Sequence, residues 1–420
     1  MDAVASERFR IAVFLPQPHR GGKLRVAKDL AKMIQEGSRR RGTEVDVVFA
    51  APKGEYDVDR EFADLGEIGI QVRALEWKRI GADALAIANA SALGASREVR
   101  RGQYLQPVDG VNDFMDCDFW LFVSDRMAVP PAPLRPYGAL LFDYVQRHVP
   151  EALSVDGYVV QAEGMIPFAQ EAKFVMVTTP AAKADANSYA GVPLRRIIQI
   201  PLFFELPKAV ESPRILEADY LVWVANASPH KNSTRVLRAL EKYYDDFAGN
   251  LKSMVIGAFS HAFAENGPEC LQRHLPSAIE ARAFIRASRS LKRNLRIEGE
   301  LSPSAHAAAI KHASFLLHGN LNGNGSFAVI DAAALGVPSL SSRYPAMEFL
   351  DKTCALNLTF FDPHDIDDMA RSLKAMEAAR DQVKLPSREF LETFGWRDCA
   401  EAVFDVIGPQ LELCAKKAYR

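Results

Sequence analysis

The chain has no apolar run near the roughly 20 residues that a bilayer crossing needs. Its first residues, Met-Asp-Ala-Val-Ala-Ser-Glu-Arg, carry no apolar core of a signal peptide. A spanning or exported protein is therefore not expected, although contact with the inner face of a membrane stays open. Cysteine is scarce: five in 420 residues (Cys117, Cys270, Cys354, Cys399, Cys414), odd in number, widely spaced and without a Cys-x-x-Cys. That pattern argues against a disulfide framework and a structural zinc site, and fits a reducing, cytoplasmic setting. Charge of one sign is lacking as well. The net charge is -2, so no global field draws the chain to nucleic acid. The basic clusters Arg39-Arg40-Arg41 and Arg97 with Arg100-Arg101 are short and read as solvated helix ends. The adjacent acids Asp245-Asp246 and Asp367-Asp368 lie in or beside helices, where neighbours in sequence point apart, so no metal site is expected from them.

What is present is an ordinary globular composition, 48% apolar and 25% charged. The length exceeds the roughly 250–300 residues that one core supports, so two domains are expected. Short apolar runs at 9–15, 44–50, 70–75, 119–124, 139–142, 158–161 and 174–178 read as buried strands, with helical patterns such as 23–36 between them. Strands alternating with helices predict a parallel sheet covered on both faces. A Pro-bounded stretch, Pro207 to Pro213, reads as a linker, after which the theme restarts. Strands are expected at 220–225, 254–257, 295–297, 315–318, 337–341 and 356–361. Helices are expected at 232–247, 278–291, 303–312 and 364–377. The fold class is thus α/β with two doubly wound, Rossmann-like domains facing across a cleft, since ligands of such sheets bind beyond the carboxyl ends of the strands. The division is 1–206, 207–395, and a helical segment 396–420 that Gly408-Pro409 is expected to kink or split.

The stretch from Gly319 to Glu348 is the most informative. A loop containing Gly319, Asn322, Gly323, Asn324 and Gly325 runs into Ser326, a good N-cap, and then into an apolar helix from Phe327 that Gly336 and Pro338 end. The helix has almost no polar face yet carries one acid, Asp331. Backbone N–H groups at a helix N-terminus attract anions. An acid one and a half turns further in suits sugar hydroxyls, or is a buried acid satisfied by backbone. Together they suggest a pocket for a phosphorylated sugar such as a nucleotide.

Other segments fall in a telling order. Gly21-Gly22 follows the first strand; Val177-Thr-Thr-Pro180, Ala190-Gly-Val-Pro193 and Ile198-Gln-Ile-Pro201 close the first half; Asn226-Ala-Ser-Pro-His-Lys231-Asn follows the first strand of the second half; Phe394-Gly-Trp396 opens the last helix. In this order and spacing the chain resembles the retaining glycosyltransferases of the GT-B fold, the family 4 group, over nearly its whole length. The resemblance implies transfer of a sugar from a nucleotide-sugar to a glycan or lipid-linked glycan acceptor, with retention at C1. It also implies no metal ion and no cofactor beyond the co-substrate, and a cytoplasmic setting in polysaccharide or glycoconjugate assembly. It implies donor contacts from Gly21, Gly22, Asn226, Lys231, Gly323, Asn324, Gly325, Ser326, Phe327 and Asp331, and crossing of the final helix back to the first domain.

Departures from the family pattern are specific. Asp331 stands for the second of two glutamates. The first falls at Asn322 or Gly323, and neither is acidic. Asn226 stands where the family has Arg, five residues before the retained Lys231. Phe142-Asp143 stands where it has His-Asp. Lys231 suits a diphosphate leaving group. Asn322 is either a substitute contact to donor-sugar hydroxyls or a turn asparagine. Asp143, or His148 five residues on, could steer or deprotonate an acceptor hydroxyl. Arg343 and Glu348 either line the nucleotide pocket or form a surface pair. With those polar groups replaced, the alternative is a catalytically silent GT-B module serving as a binding or assembly subunit.

Overall fold

The computed structural model describes residues 9–19, 21–93, 102–124, 127–150, 164–207, 213–226, 228–257, 260–264 and 276–418. The expected strand at 158–161 lies outside them.

The chain forms two compact units. One comprises Met1–Tyr144, Ser154–Glu205 and Thr393–Arg420; the other comprises Val145–Leu153 and Leu206–Glu392. The segment Val145–Leu153 therefore belongs with the second unit, although a boundary drawn at the linker leaves it in the first. Its Val145 and Val149 are buried in one cluster with Leu321.

In the first unit the strands are β1 (Phe9–Phe14), β2 (Val45–Pro52), β3 (Gln71–Gly81), β4 (Gln103–Val108), β5 (Phe119–Val123), β6 (Tyr137–Leu140), β7 (Val175–Val177) and β8 (Ile197–Gln199). They form one sheet in the order β4-β3-β2-β1-β5-β6-β7-β8. The strands β1, β5 and β6 are almost wholly buried, as a sheet covered on both faces requires. The expectation of a purely parallel sheet needs one correction. The far half of β3, from Glu76 to Gly81, pairs antiparallel with β4. An edge strand can return this way because only one of its neighbours fixes its direction.

The opening helix Gly22–Arg40 packs against the last helix, Trp396–Ala418, which is one continuous helix despite Pro409. Of the kink or split expected at Gly408-Pro409, the split does not occur; the chain buries Ala400, Val403, Phe404, Ile407 and Leu411 along one stripe. Continuous packing of that stripe offsets the hydrogen bond that proline removes. Gly37 sits at the crossing, where a Cβ would lie 2.4 Å from the Ala400 carbonyl oxygen. The helix start is fastened by Phe204 N–H donating to Phe394 O at 3.0 Å, and by the stacked rings of the same two residues.

The opening helix also buries charge. Asp29 and Lys32 are both nearly inaccessible and lie 3.5 Å apart, and Lys32 also reaches Asp64 at 2.6 Å. Burial pushes the Asp29 carboxyl up to about 6, with Lys32 opposing the shift. A carboxyl raised on folding binds its proton more tightly in the native state. Its ionisation cost is absent below about pH 3.8, grows through about pH 6 and is constant above. Asp29→Asn is therefore expected to raise stability at pH 7.5 by about 1–3 kcal/mol, and the gain should fade toward pH 4. Urea unfolding at the two pH values checks this; an equal gain at both would refute the assignment.

The second unit contains β9 (Tyr220–Val224), β10 (Lys252–Ile256), β11 (Leu295–Gly299), β12 (Leu316–His318), β13 (Ser339–Ser342) and β14 (Thr359–Phe361). All pairs are parallel, in the order β11-β10-β9-β12-β13-β14. The helix expected over 278–291 is two, Pro276–Ala287 and Arg289–Asn294, because Ser288 caps the second through the Leu291 N–H. Ser302 caps the helix Pro303–Lys311 as its sequence position predicts.

Candidate functional site

The strand order of the second sheet reverses between β9 and β12, and a doubly wound sheet opens its binding crevice at such a switch point, beyond the carboxyl ends of the strands. The two loops that leave those ends are the two that the sequence singles out. The loop after β9 carries Asn226 and Lys231; the loop after β12 carries Gly319 to Ser326.

The loops are tied together by main chain, since Leu321 N–H donates to His230 O at 2.9 Å. Gly319 permits a second close approach. A Cβ there would fall 2.4 Å from Val236, in the helix Ser233–Asp245 that follows Lys231. Lys231 ends a one-turn 3-10 helix (Pro229–Lys231), and Asn232 follows in the left-handed region at φ 61°. The Asn232 side chain donates to Pro363 O at 2.8 Å. The loop that bears the ammonium is thus held at several points along its length.

The glycine loop has the expected form. Gly325 has φ 88°, so a side chain there would be strained, while the space beside Gly323 is open. Ser326 is the N-cap of the helix Phe327–Ala334, its hydroxyl accepting from Ala328 N–H. Asn324, Gly325, Ser326 and Phe327 are half-buried, and Asp331 is buried on the helix. A capped helix end beside an open glycine can hold an anion, and the Lys231 ammonium is close enough to act on His318, the residue just before that loop.

Two asparagines engage their own turns. The Asn322 side-chain oxygen accepts from Gly323 N–H at 2.6 Å, and that of Asn226 accepts from Ser228 N–H at 2.9 Å. These are turn-stabilising bonds, and they give the loops shape. Arg343 and Glu348 form an exposed ion pair at 2.8 Å, the surface alternative of the two considered. Among the acids, Lys242 pairs with Asp246 at 3.8 Å and also with Asp367. Among the described residues, no group of three His, Cys, Asp or Glu gathers as a metal site requires.

Sequence reasoning missed the residues beneath the glycine loop. His318, the last residue of β12, is 2% exposed, and its Nε2 lies 2.9 Å from the Tyr344 hydroxyl. Burial, with the Lys231 ammonium adding to it, pushes the imidazole down to about 3, so it is neutral at physiological pH. Ser342, on β13, donates its hydroxyl to His318 O at 3.1 Å. The available signal was a polar residue closing an apolar strand, immediately before a glycine loop.

In the first unit, Gly21 has φ 66° and precedes the opening helix, with open space beside it. Lys23, one residue beyond Gly22, places its ammonium 5.1 Å from the centre of the Phe142 ring. The Gly21-Gly22 turn and Phe142-Asp143 thus follow the carboxyl ends of β1 and β6 in this unit, linked by the contact of Lys23 with the Phe142 ring. His148 is exposed at the end of the helix Val145–His148 and belongs to the second unit. A cavity of about 470 Å³, lined by Arg214, Lys311 and Arg380 among others, opens at the opposite, amino end of the second sheet and does not coincide with the candidate site.

No protein-family model matches the chain, and no curated protein sequence does either. Solved structures do. A glycosyltransferase from Rickettsia africae aligns over 99% of both chains at 9% identity, with a TM-score of 0.57. The Anabaena protein HepE, solved with UDP and glucose, aligns over 98% of this chain and 100% of its own at 14% identity and a TM-score of 0.58. Sucrose-phosphate synthase from Thermosynechococcus elongatus aligns over 98% and 99% at 12% identity and a TM-score of 0.59. The fold is therefore that of the GT-B glycosyltransferases, two Rossmann-like α/β units with a parallel and a mostly parallel sheet. Among the described residues, no helix is long and apolar enough to cross a membrane.

Proposed function

We propose that the chain is a glycosyltransferase that takes a sugar from a nucleotide-sugar donor. The observation that carries this reading is the joining of the β9 and β12 loops at the switch point of the second sheet by the Leu321–His230 bond, which brings the Lys231 loop to the glycine loop. The donor's diphosphate is assigned to the loop from Asn324 to Phe327 at the capped helix start and to the Lys231 ammonium; Gly323, whose N–H is taken up by Asn322, leaves the space open. Asp331 is assigned to the ribose hydroxyls. As the C1–O bond breaks, negative charge grows on the departing phosphate, and fixed N–H dipoles with one ammonium stabilise it without reorganisation. This reading needs no metal ion.

Retention at C1 follows from the family resemblance, with the acceptor hydroxyl attacking the face that the nucleotide leaves. The Gly21-Gly22 turn and Asp143 are assigned to the acceptor side, Asp143 steering or deprotonating the hydroxyl. A glycan or lipid-linked glycan acceptor, met in the cytoplasm or at the inner face of the membrane, fits glycoconjugate assembly. The solved neighbours support the reading: HepE is described with UDP-glucose as well as with UDP.

The test is a thermal-shift screen with UDP, GDP, dTDP, ADP and CMP. One nucleotide should raise stability by about 2.7 kcal/mol at a hundredfold excess over its Kd. The corresponding nucleotide-sugars should then be turned over in the presence of a glycan acceptor. Binding without turnover would favour the silent module, and a flat response to all five would remove the donor reading.

A further inference from the structure

Beneath the proposed donor loops lies a polar pair that the reaction as described leaves unused. His318 and Tyr344 are both buried, 2% and 4% exposed, beside the buried serines that end β13. They face each other at 2.9 Å across the ends of β12 and the segment after β13. A buried imidazole is costly unless its nitrogens find partners, so Tyr344 fixes the ring. The ring's own backbone is fixed in turn by Ser342. Three residues after His318, Leu321 donates to His230, the neighbour of Lys231. Tyr344 also precedes the helix Pro345–Cys354 as its N-cap residue, so its backbone is anchored independently of its hydroxyl.

We propose that His318 and Tyr344 are positioning residues that hold the Lys231 loop and the glycine loop at the spacing a diphosphate requires. The proposal rests on the donor reading above. Its physical content is a rigid polar strut across three loops. The hydroxyl–imidazole bond ties the end of β12 to the segment that leaves β13 for the helix Pro345–Cys354, and the Leu321–His230 bond passes that setting to Lys231. The pair touches no substrate in this scheme. Its influence on a bound anion runs through Lys231, so it disappears when Lys231 is removed. The imidazole acts as a neutral group, because a second cation beside Lys231 would repel it and would be buried without a counter-charge.

The test is a double-mutant cycle read by calorimetry with inorganic pyrophosphate, a probe that does not depend on which base or sugar the donor carries. In the parent chain Lys231→Ala is expected to weaken pyrophosphate about tenfold or more. In a Tyr344→Phe background the same change should cost less than about twofold, because the ammonium is no longer held in place. His318→Gln, which keeps a neutral hydrogen-bonding side chain, should retain most of the Lys231 effect, and His318→Leu should lose it. Melting temperatures of all variants identify any that fail to fold, and the Gln and Leu pair then decides the outcome. An equal, additive Lys231 effect in every background overturns the inference while leaving the donor reading intact. A parent chain that does not bind pyrophosphate removes the donor reading and this inference with it.

Discussion

Lys231→Ala is expected to lower kcat by about 10²–10³, the range found when one preorganised donor to a developing oxyanion is lost. The reasoning is local. Lys231 sits on a loop held by the Leu321–His230 bond and followed by Asn232, whose left-handed backbone and bond to Pro363 fix the turn. Truncation leaves that framework in place, so the loss should fall on charge stabilisation and little on folding. An ammonium that holds the leaving group acts in the transition state, so kcat and kcat/KM for the donor fall together. Single-turnover kinetics with the donor found in the nucleotide screen checks it. A loss confined to acceptor KM, with kcat unchanged, would place Lys231 elsewhere in the reaction.

Gly37→Ala is expected to destabilise the protein by about 2 kcal/mol, within the range for overpacked interiors, although alanine in mid-helix ordinarily gains about 1 kcal/mol over glycine. The sign is set by the crossing of the opening and closing helices. A methyl group at Gly37 would stand 2.4 Å from the Ala400 carbonyl oxygen and 2.6 Å from Phe404 Cβ, so the closing helix must retreat. The burial of Val403, Phe404 and Ile407 depends on that contact. Gly66→Ala, with nothing within 4 Å of the added carbon, serves as the control and should be neutral or stabilising. Chemical denaturation of the two variants checks the pair; a Gly37→Ala protein at least as stable as the parent would contradict the close packing.

Much of the architecture was legible because it is locally encoded. Short apolar runs bounded by turn residues became β1, β2, β5, β9 and β12 with ends shifted by one or two residues. Ser302-Pro303 and Ser326 marked helix starts, since a cap depends on residues within one turn. The strand β4 was missed because its sequence, Gln-Tyr-Leu-Gln-Pro-Val, carries two glutamines and a proline and becomes a strand by pairing with the extended β3. That the closing helix runs unbroken through Gly408-Pro409, rather than as two helices, was not legible because the packing that keeps it continuous comes from a helix more than 350 residues away in sequence, at Gly37 and its neighbours.

The candidate site divides the same way. Gly325, Ser326 and Asp331 announce themselves within one segment, because glycine, cap and lone acid are properties of neighbouring residues. The residues that fix their surroundings do not. His230 and Leu321, His318 and Tyr344, and Val145 and Leu321 are partners across the chain, and each looks unremarkable in its own segment. The order of apolar runs and turn residues in this sequence was enough to specify two Rossmann-like units and to place a glycine-rich loop running into a capped helix on the second. Which side chains stand behind that loop was decided by strand order alone, because bringing β9 beside β12 creates neighbours that no periodicity along the chain can encode.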